Sequence, residues 1–183
     1  WKLLGNQVMI SPIRVVDLDE PSLRAMVEGL PRHAGVYVNF DDWDGYQAER
    51  DLLLEHLAGE GVANVGALTG DIHSFWQAGV RRDFDDPTSP VVLQEFVCGS
   101  ISSRGADFTG DLAPELARAV RTTRPGFRFV DLARRGYGVV DLTPEHAVVE
   151  FRSVNALARR SRPRVLARFD WPAGTHEVAL SRG

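Results

Sequence analysis

Apolar residues along this chain occur in short runs separated by Gly, Pro and Asp, the rhythm of alternating strands and helices. Residues 8–10 read as a first strand. Residues 19–30 read as a short helix: Pro21 stands early, Leu23, Met26, Val27 and Leu30 share a stripe, and Gly29 marks the stop. Residues 36–40 alternate as a strand. The clearest helix spans 45–58, with Tyr46, Leu53, Leu54 and Leu57 on one face, Glu49, Arg50, Asp51 and Glu55 on the wet side, and Asp44 as its cap. Residues 64–68 suit a buried strand, and residues 91–97 a central strand covered on both faces. Residues 112–123 predict a surface helix carrying Leu112, Leu116, Ala119 and Val120, with Asp111 as cap and Pro114 in the tolerant first turn. Four runs then follow at 127–132, 137–142, 147–154 and 165–171. With a turn at Thr143-Pro144-Glu145, they predict an antiparallel meander closing an edge of a mixed sheet. Nothing repeats at a fixed period, so the pattern predicts one α/β domain over residues 1–183, a mixed sheet flanked by helices.

Composition changes this picture little. A 183-residue chain is long enough for a genuine core. No apolar stretch approaches the roughly 20 residues of a spanning helix, and no basic-plus-apolar leader is visible. The net charge of −4 and the mixing of Arg with acidic residues argue against a dedicated nucleic-acid surface, which needs a coherent basic stripe. Arg159, Arg160, Arg162 and Arg164 offer guanidinium forks that match phosphate oxygens, or form a solvated hinge before the last strand. The single cysteine, Cys98, excludes an internal disulfide and reads as a small buried hydrophobe.

The candidate chemistry centres on Leu68 to Trp76, LTGDIHSFW. Asp71 and His73 bracket Ile72 on a turn at a strand's end, where a carboxylate and a neutral imidazole together suit Zn, Mn or Fe. The same residues also fit an Asp capping a helical turn beside a surface His. In DDWDGYQAER, Asp42 could hold a carboxylate toward a metal or its water, with Trp43 walling the pocket. Asn6 could donate to a phosphate oxygen or act as a turn amide. The hydroxyl-rich loop GSISSRG, residues 99–105, could approach a ligand closely or donate amides to an anion. It contains no Gly-x-Ser-x-Gly elbow, which excludes a serine nucleophile of that kind. His33, His56, His146 and His176 lie without evident partner ligands and read as surface residues.

Taken in order, WKLLGNQVMISP, DDWDGYQAER, LTGDIHSFW, LQEFVCGSISSRG and RPGFRFVDLARRGYGVVDLTPE resemble the C-terminal half of the PhoD-like alkaline phosphatases. The resemblance implies a calcineurin-like metallophosphoesterase sandwich ending in the antiparallel meander. It also implies a multinuclear centre, calcium with iron, that hydrolyses phosphomonoesters or phosphodiesters. Asp71 and His73 match the family's late Gly-Asp-x-His motif and so inherit the role of metal ligands. The early ligand-bearing motifs have no counterpart here, so the resemblance implies a fragment that lacks the N-terminal half of its domain and has little turnover alone. It implies an exported, extracellular or periplasmic protein. The alternative is a non-catalytic module that binds a ligand or partner on a phosphatase-derived scaffold.

Overall fold

In the computed structural model, the described residues are all except 19–21, 23, 24, 28, 31, 32, 38, 39, 106, 124 and 125; the side chains of 15, 107–109 and 123 are also left aside. Among the described residues, eleven strands form three sheets. The first strand is β1, Lys2–Asn6, not residues 8–10. Leu3 and Leu4 occupy an edge position, so their run is only half apolar, whereas Val8–Ile10 is a buried connection without ladder partners. A short pair, β2 (Arg14–Asp17) and β3 (Gly35–Tyr37), stands apart. The helix expected at 19–30 falls largely outside the described residues.

A five-stranded mixed sheet forms the centre, in the order β1, β4 (Val65–Thr69), β6 (Val91–Val97), β5 (Phe75–Arg81) and β7 (Phe127–Asp131). β1, β4 and β6 run parallel, while β5 and β7 run antiparallel to their neighbours. β5 was not anticipated, because the fully buried Gln77 interrupts its apolar run. Gln77 Nε2 donates to Gln94 Oε1 across the ladder at 2.8 Å, which makes its burial affordable.

The last sheet is β8 (Arg135–Leu142), β9 (His146–Val154), β10 (Arg164–Pro172) and β11 (Ala179–Arg182), antiparallel throughout. An antiparallel meander is present at the chain's end, but as a separate sheet stacked on the central one rather than as an edge of it, and two memberships change: the run at 127–132 leaves it and β11, not expected, joins it. Residues 127–132 join the central sheet beside β5, since Phe129 lies under the second sheet and Phe127 and Val130 face the helices. The two sheets meet face to face through Phe75, Phe96 and Phe129 against Phe151, Phe169 and Trp171. Aromatic centroids there are 5–6.5 Å apart, with edge-on contacts such as Phe151–Phe169 at 5.1 Å and 71°. Each buried ring contributes on the order of 2–3 kcal/mol by area.

Helices cover only the other face of the central sheet. α1, Gln47–Gly59, buries Leu54 and Leu57 against Val65, Ala67, Val80 and Leu93. Its inner stripe also carries Arg50, which is 0% exposed and was expected on the wet side. Asp44 is not the cap. It lies in a single-turn helix, Trp43–Gly45, and pairs with Arg50 Nη1 at 2.6 Å while accepting the Ile13 amide at 3.0 Å. Tyr46, expected on the inner face, is exposed. α2, Ala113–Thr123, packs through Ala113, Ala117 and Val120, leaving Leu112 and Leu116 exposed, so its buried face is rotated from the expected one. Cys98 packs against the intersheet core, and burial pushes its thiol above the ordinary range.

Candidate metal centre

Asn6, Thr69 and Val97 are register partners at the carboxyl ends of the three parallel strands. Crevices at such ends are where open α/β sheets place ligands. The chain leaves β4 into the turn that carries Asp71 and His73, held by an Ile72 amide bond to the Gly70 carbonyl at 2.9 Å. Both residues adopt the left-handed region, φ 66° for Asp71 and 56° for His73. That region is unfavourable for any side chain beyond glycine, and it concentrates at functional sites. Ile72 between them packs into the helix-side core, and the two polar side chains are exposed. No helix follows, since β5 starts at Phe75, so Asp71 does not act as a helix cap.

The loop at 99–105 sets the imidazole. His73 Nδ1 donates to the Arg104 carbonyl at 2.8 Å, which assigns the proton to Nδ1 and leaves Nε2 as the ring's acceptor. A backbone carbonyl on one ring nitrogen is the usual partner of a metal-ligating histidine. Gly105 packs so closely that a Cβ there would lie 2.4 Å from the His73 carbonyl oxygen. The small residues expected to approach a ligand closely thus include Gly105, which instead packs against the His73 backbone. Ser100 Oγ donates to the Ser103 carbonyl at 2.6 Å, which closes the loop on itself.

Asn6 and Trp43 come together at the same end. Trp43 Nε1 donates to Asn6 Oδ1 at 3.4 Å, and Asn6 Nδ2 donates to the Val8 carbonyl and, at 3.4 Å, to Thr69 Oγ1. Asn6 is therefore a brace between β1, β4 and the Trp43 turn. Asp42 is buried, 5% exposed, ahead of Trp43. Beneath them lies Glu95, unremarked in the sequence although it is a charge inside an apolar run. Glu95 is 0% exposed and accepts the Ile10 and Ser11 amides at 2.8 Å each and the Thr69 hydroxyl at 2.9 Å. Burial pushes its carboxyl above the ordinary glutamate range, against the pull of those donors.

At the opposite end of β5 lies a second group that sequence reasoning missed. His33 is 2% exposed, not a surface residue, and its ligand atom and those of Asp83 and Asp85 lie within 4.8 Å of one another. Its ring stacks on Phe84 with centroids 4.1 Å apart, and Arg50 sits over the same phenyl ring at 4.7 Å. Arg14 bridges Asp85 and Asp17, the latter at 2.8 Å. Arg14 already pairs with two of these carboxylates, and the arrangement is an ion-pair knot that ties β2 to the segment after β5.

Among the described residues no helix is long and apolar enough to cross a membrane. The family model of the PhoD-like phosphatases matches residues 1–151. Alkaline phosphatase D of Bacillus subtilis (strain 168) is 32% identical over 116 residues, 62% of this chain and 19% of that protein. A solved chain titled "Structure of PhoD" superposes with a TM-score of 0.73 at 20% identity, over 98% of this chain and 31% of the solved one. The chain thus spans about a fifth of the curated relative and under a third of the solved chain, and its mixed α/β fold matches that part of the solved structure. From residue 1 through residue 151, this chain belongs to the PhoD-like phosphatase family.

Proposed function

We propose that the turn after β4 contributes Asp71 and His73 to the metal centre of a phosphoric ester hydrolase, within the C-terminal part of a metallophosphoesterase-type domain. The observation that carries this reading is the pair of left-handed residues with His73 Nδ1 already committed to Arg104, which leaves a carboxylate and an Nε2 lone pair on one exposed turn. That donor set fits iron or another borderline cation at the imidazole and calcium at the carboxylate. The bound ions would supply charge compensation to the phosphoryl oxygens and an activated water.

The residues of this chain position and shield. Asp71 and His73 hold; Arg104 and Gly105 keep the ring in one orientation; Asn6, Trp43 and Asp42 support the wall of the crevice. The 183-residue chain alone is expected to turn over poorly, because two ligands do not retain a multinuclear cluster. Either monoesters or diesters fit this chemistry, and an exported location is the proposal that goes with the family. The test is an aryl phosphate assay with calcium and iron on this chain and on a longer relative. His73→Ala should abolish metal-dependent turnover in the longer protein; robust activity after that change overturns the reading. A longer protein that carries no bound metal would point instead to a ligand-binding module.

A further inference from the structure

Arginines from two segments of this acidic chain, 134–135 and 160–164, meet in space on one groove. It lies open to solvent between the β7–β8 connection and the β9–β10 hairpin loop, has a volume of about 600 Å³, and is lined in part by Arg134, Arg135, Arg160, Arg162 and Arg164, with no carboxylate among its lining residues. Arg134 is paired with Asp131 at 2.8 Å. The hairpin loop is built, not loose: the Asn155 amide donates to Ser161 Oγ at 2.7 Å, and Asn155 Oδ1 accepts the Leu157 amide at 3.0 Å. This folds residues 155–161 back, so that Arg160 and Arg162 stand exposed over the groove.

The groove joins the site turn through one loop. Arg135 Nε donates to the Ser103 carbonyl at 3.1 Å, and the adjacent Arg104 carbonyl holds His73. Adjacent Cα atoms are about 3.8 Å apart, so the anchors of the groove and of the imidazole are one peptide unit from each other.

We infer that this groove is an anion subsite that takes a second phosphate of a phosphate-bearing chain whose reacting phosphoryl group sits at Asp71 and His73. The substrate half of this statement rests on the proposed hydrolase function; the binding half does not. Guanidinium forks pair two hydrogen bonds with phosphate oxygens, and a concave cleft suits a chain rather than a flat bilayer. The charge is placed where it raises affinity for extended polyanions without touching the reacting group.

Inorganic tripolyphosphate, titrated calorimetrically into the 183-residue chain in EDTA, tests the groove without metal. Binding should weaken roughly tenfold to a hundredfold in the Arg160→Ser/Arg162→Ser double variant. The dependence of log Kd on log salt should flatten by about one unit or more. Leu157→Ser, on the same loop, should leave affinity within about twofold of the parent, a comparison that separates lost charge from a disturbed loop. Equal affinity in the arginine double variant overturns the inference, as does an equal loss in Leu157→Ser. Arginine-dependent binding to phosphatidylglycerol vesicles, with none to tripolyphosphate, overturns it in favour of a membrane surface. A longer relative inactive on every phosphate ester would sink the hydrolase reading and leave the titration to decide the groove.

Discussion

His73 Nδ1 hydrogen-bonds the Arg104 carbonyl at 2.8 Å, and the neighbouring Gly105 leaves no space for a side chain against the His73 backbone. Ring and loop are thus positioned together. Gly105→Ala would place a methyl carbon 2.4 Å from a carbonyl oxygen, so one of the two segments must move. We expect a loss of about 1–3 kcal/mol of stability and a fall in metal affinity of roughly tenfold or more, although no ligand atom has been removed. Urea denaturation and a metal titration check the two halves; unchanged metal affinity would sink the positioning role.

The left-handed conformations of Asp71 and His73 predict a trade between stability and binding. Glycine takes this backbone region without a steric penalty, so His73→Gly should be neutral or gain about 0.5–1 kcal/mol while losing the imidazole. Thermal melts of the variant beside His73→Ala provide the comparison. If the glycine variant is no more stable than the alanine one, the backbone is not strained at this position.

Arg50 and Asp44 form an ion pair with side chains 0% and 4% exposed. Removing one partner leaves a buried charge, so Asp44→Ala should cost about 3–5 kcal/mol. The double change Asp44→Leu/Arg50→Met should cost less than Asp44→Ala alone, since neither charge then remains. Chemical denaturation of the two variants beside the parent would show the ordering, and a double variant less stable than Asp44→Ala refutes it.

Glu95 predicts a pH dependence of stability. Its carboxyl titrates above the ordinary glutamate value in the folded chain, because burial penalises the anion. The folded state therefore holds this proton to higher pH than the unfolded state. Its contribution is intact below the unfolded value, about pH 4.3, and declines as pH rises through the elevated folded one. Glu95→Gln should remove that part of the slope. It should also cost about 1–3 kcal/mol, because either orientation of the carboxamide turns an N–H toward an amide donor, Ile10 or Ser11. A variant with the parent's slope between pH 4 and 8 would mean that another group titrates.

Much of this molecule was written in its local pattern. The apolar runs of β4, β6, β9 and β10 are read correctly because their residues are buried on two faces or alternate cleanly, and the Gly-Asp-x-His turn is visible as ligand-bearing residue types after a strand. Arg50 reads as a wet-side residue because it is charged, although it falls at helical spacing from Leu54 and Leu57; its partner Asp44, read as a cap, pairs with it instead. The same blindness hid His33, whose partner Asp85 is 52 residues distant, and Glu95, whose two amide donors lie more than 80 residues upstream.

Sequence alone marked most of the strands and the helix at 47–59, pointed to the family and singled out the two candidate ligands, since each depends on residues close together along the chain. Only the tertiary structure decided that residues 127–131 belong to the central sheet, that the loop at 99–105 grips His73, and that arginines from two separate segments share one groove. The physical reason is range: side-chain periodicity and turn chemistry act over a few residues, whereas sheet pairing, buried charge compensation and electrostatic convergence are settled by groups that meet only after the chain has folded.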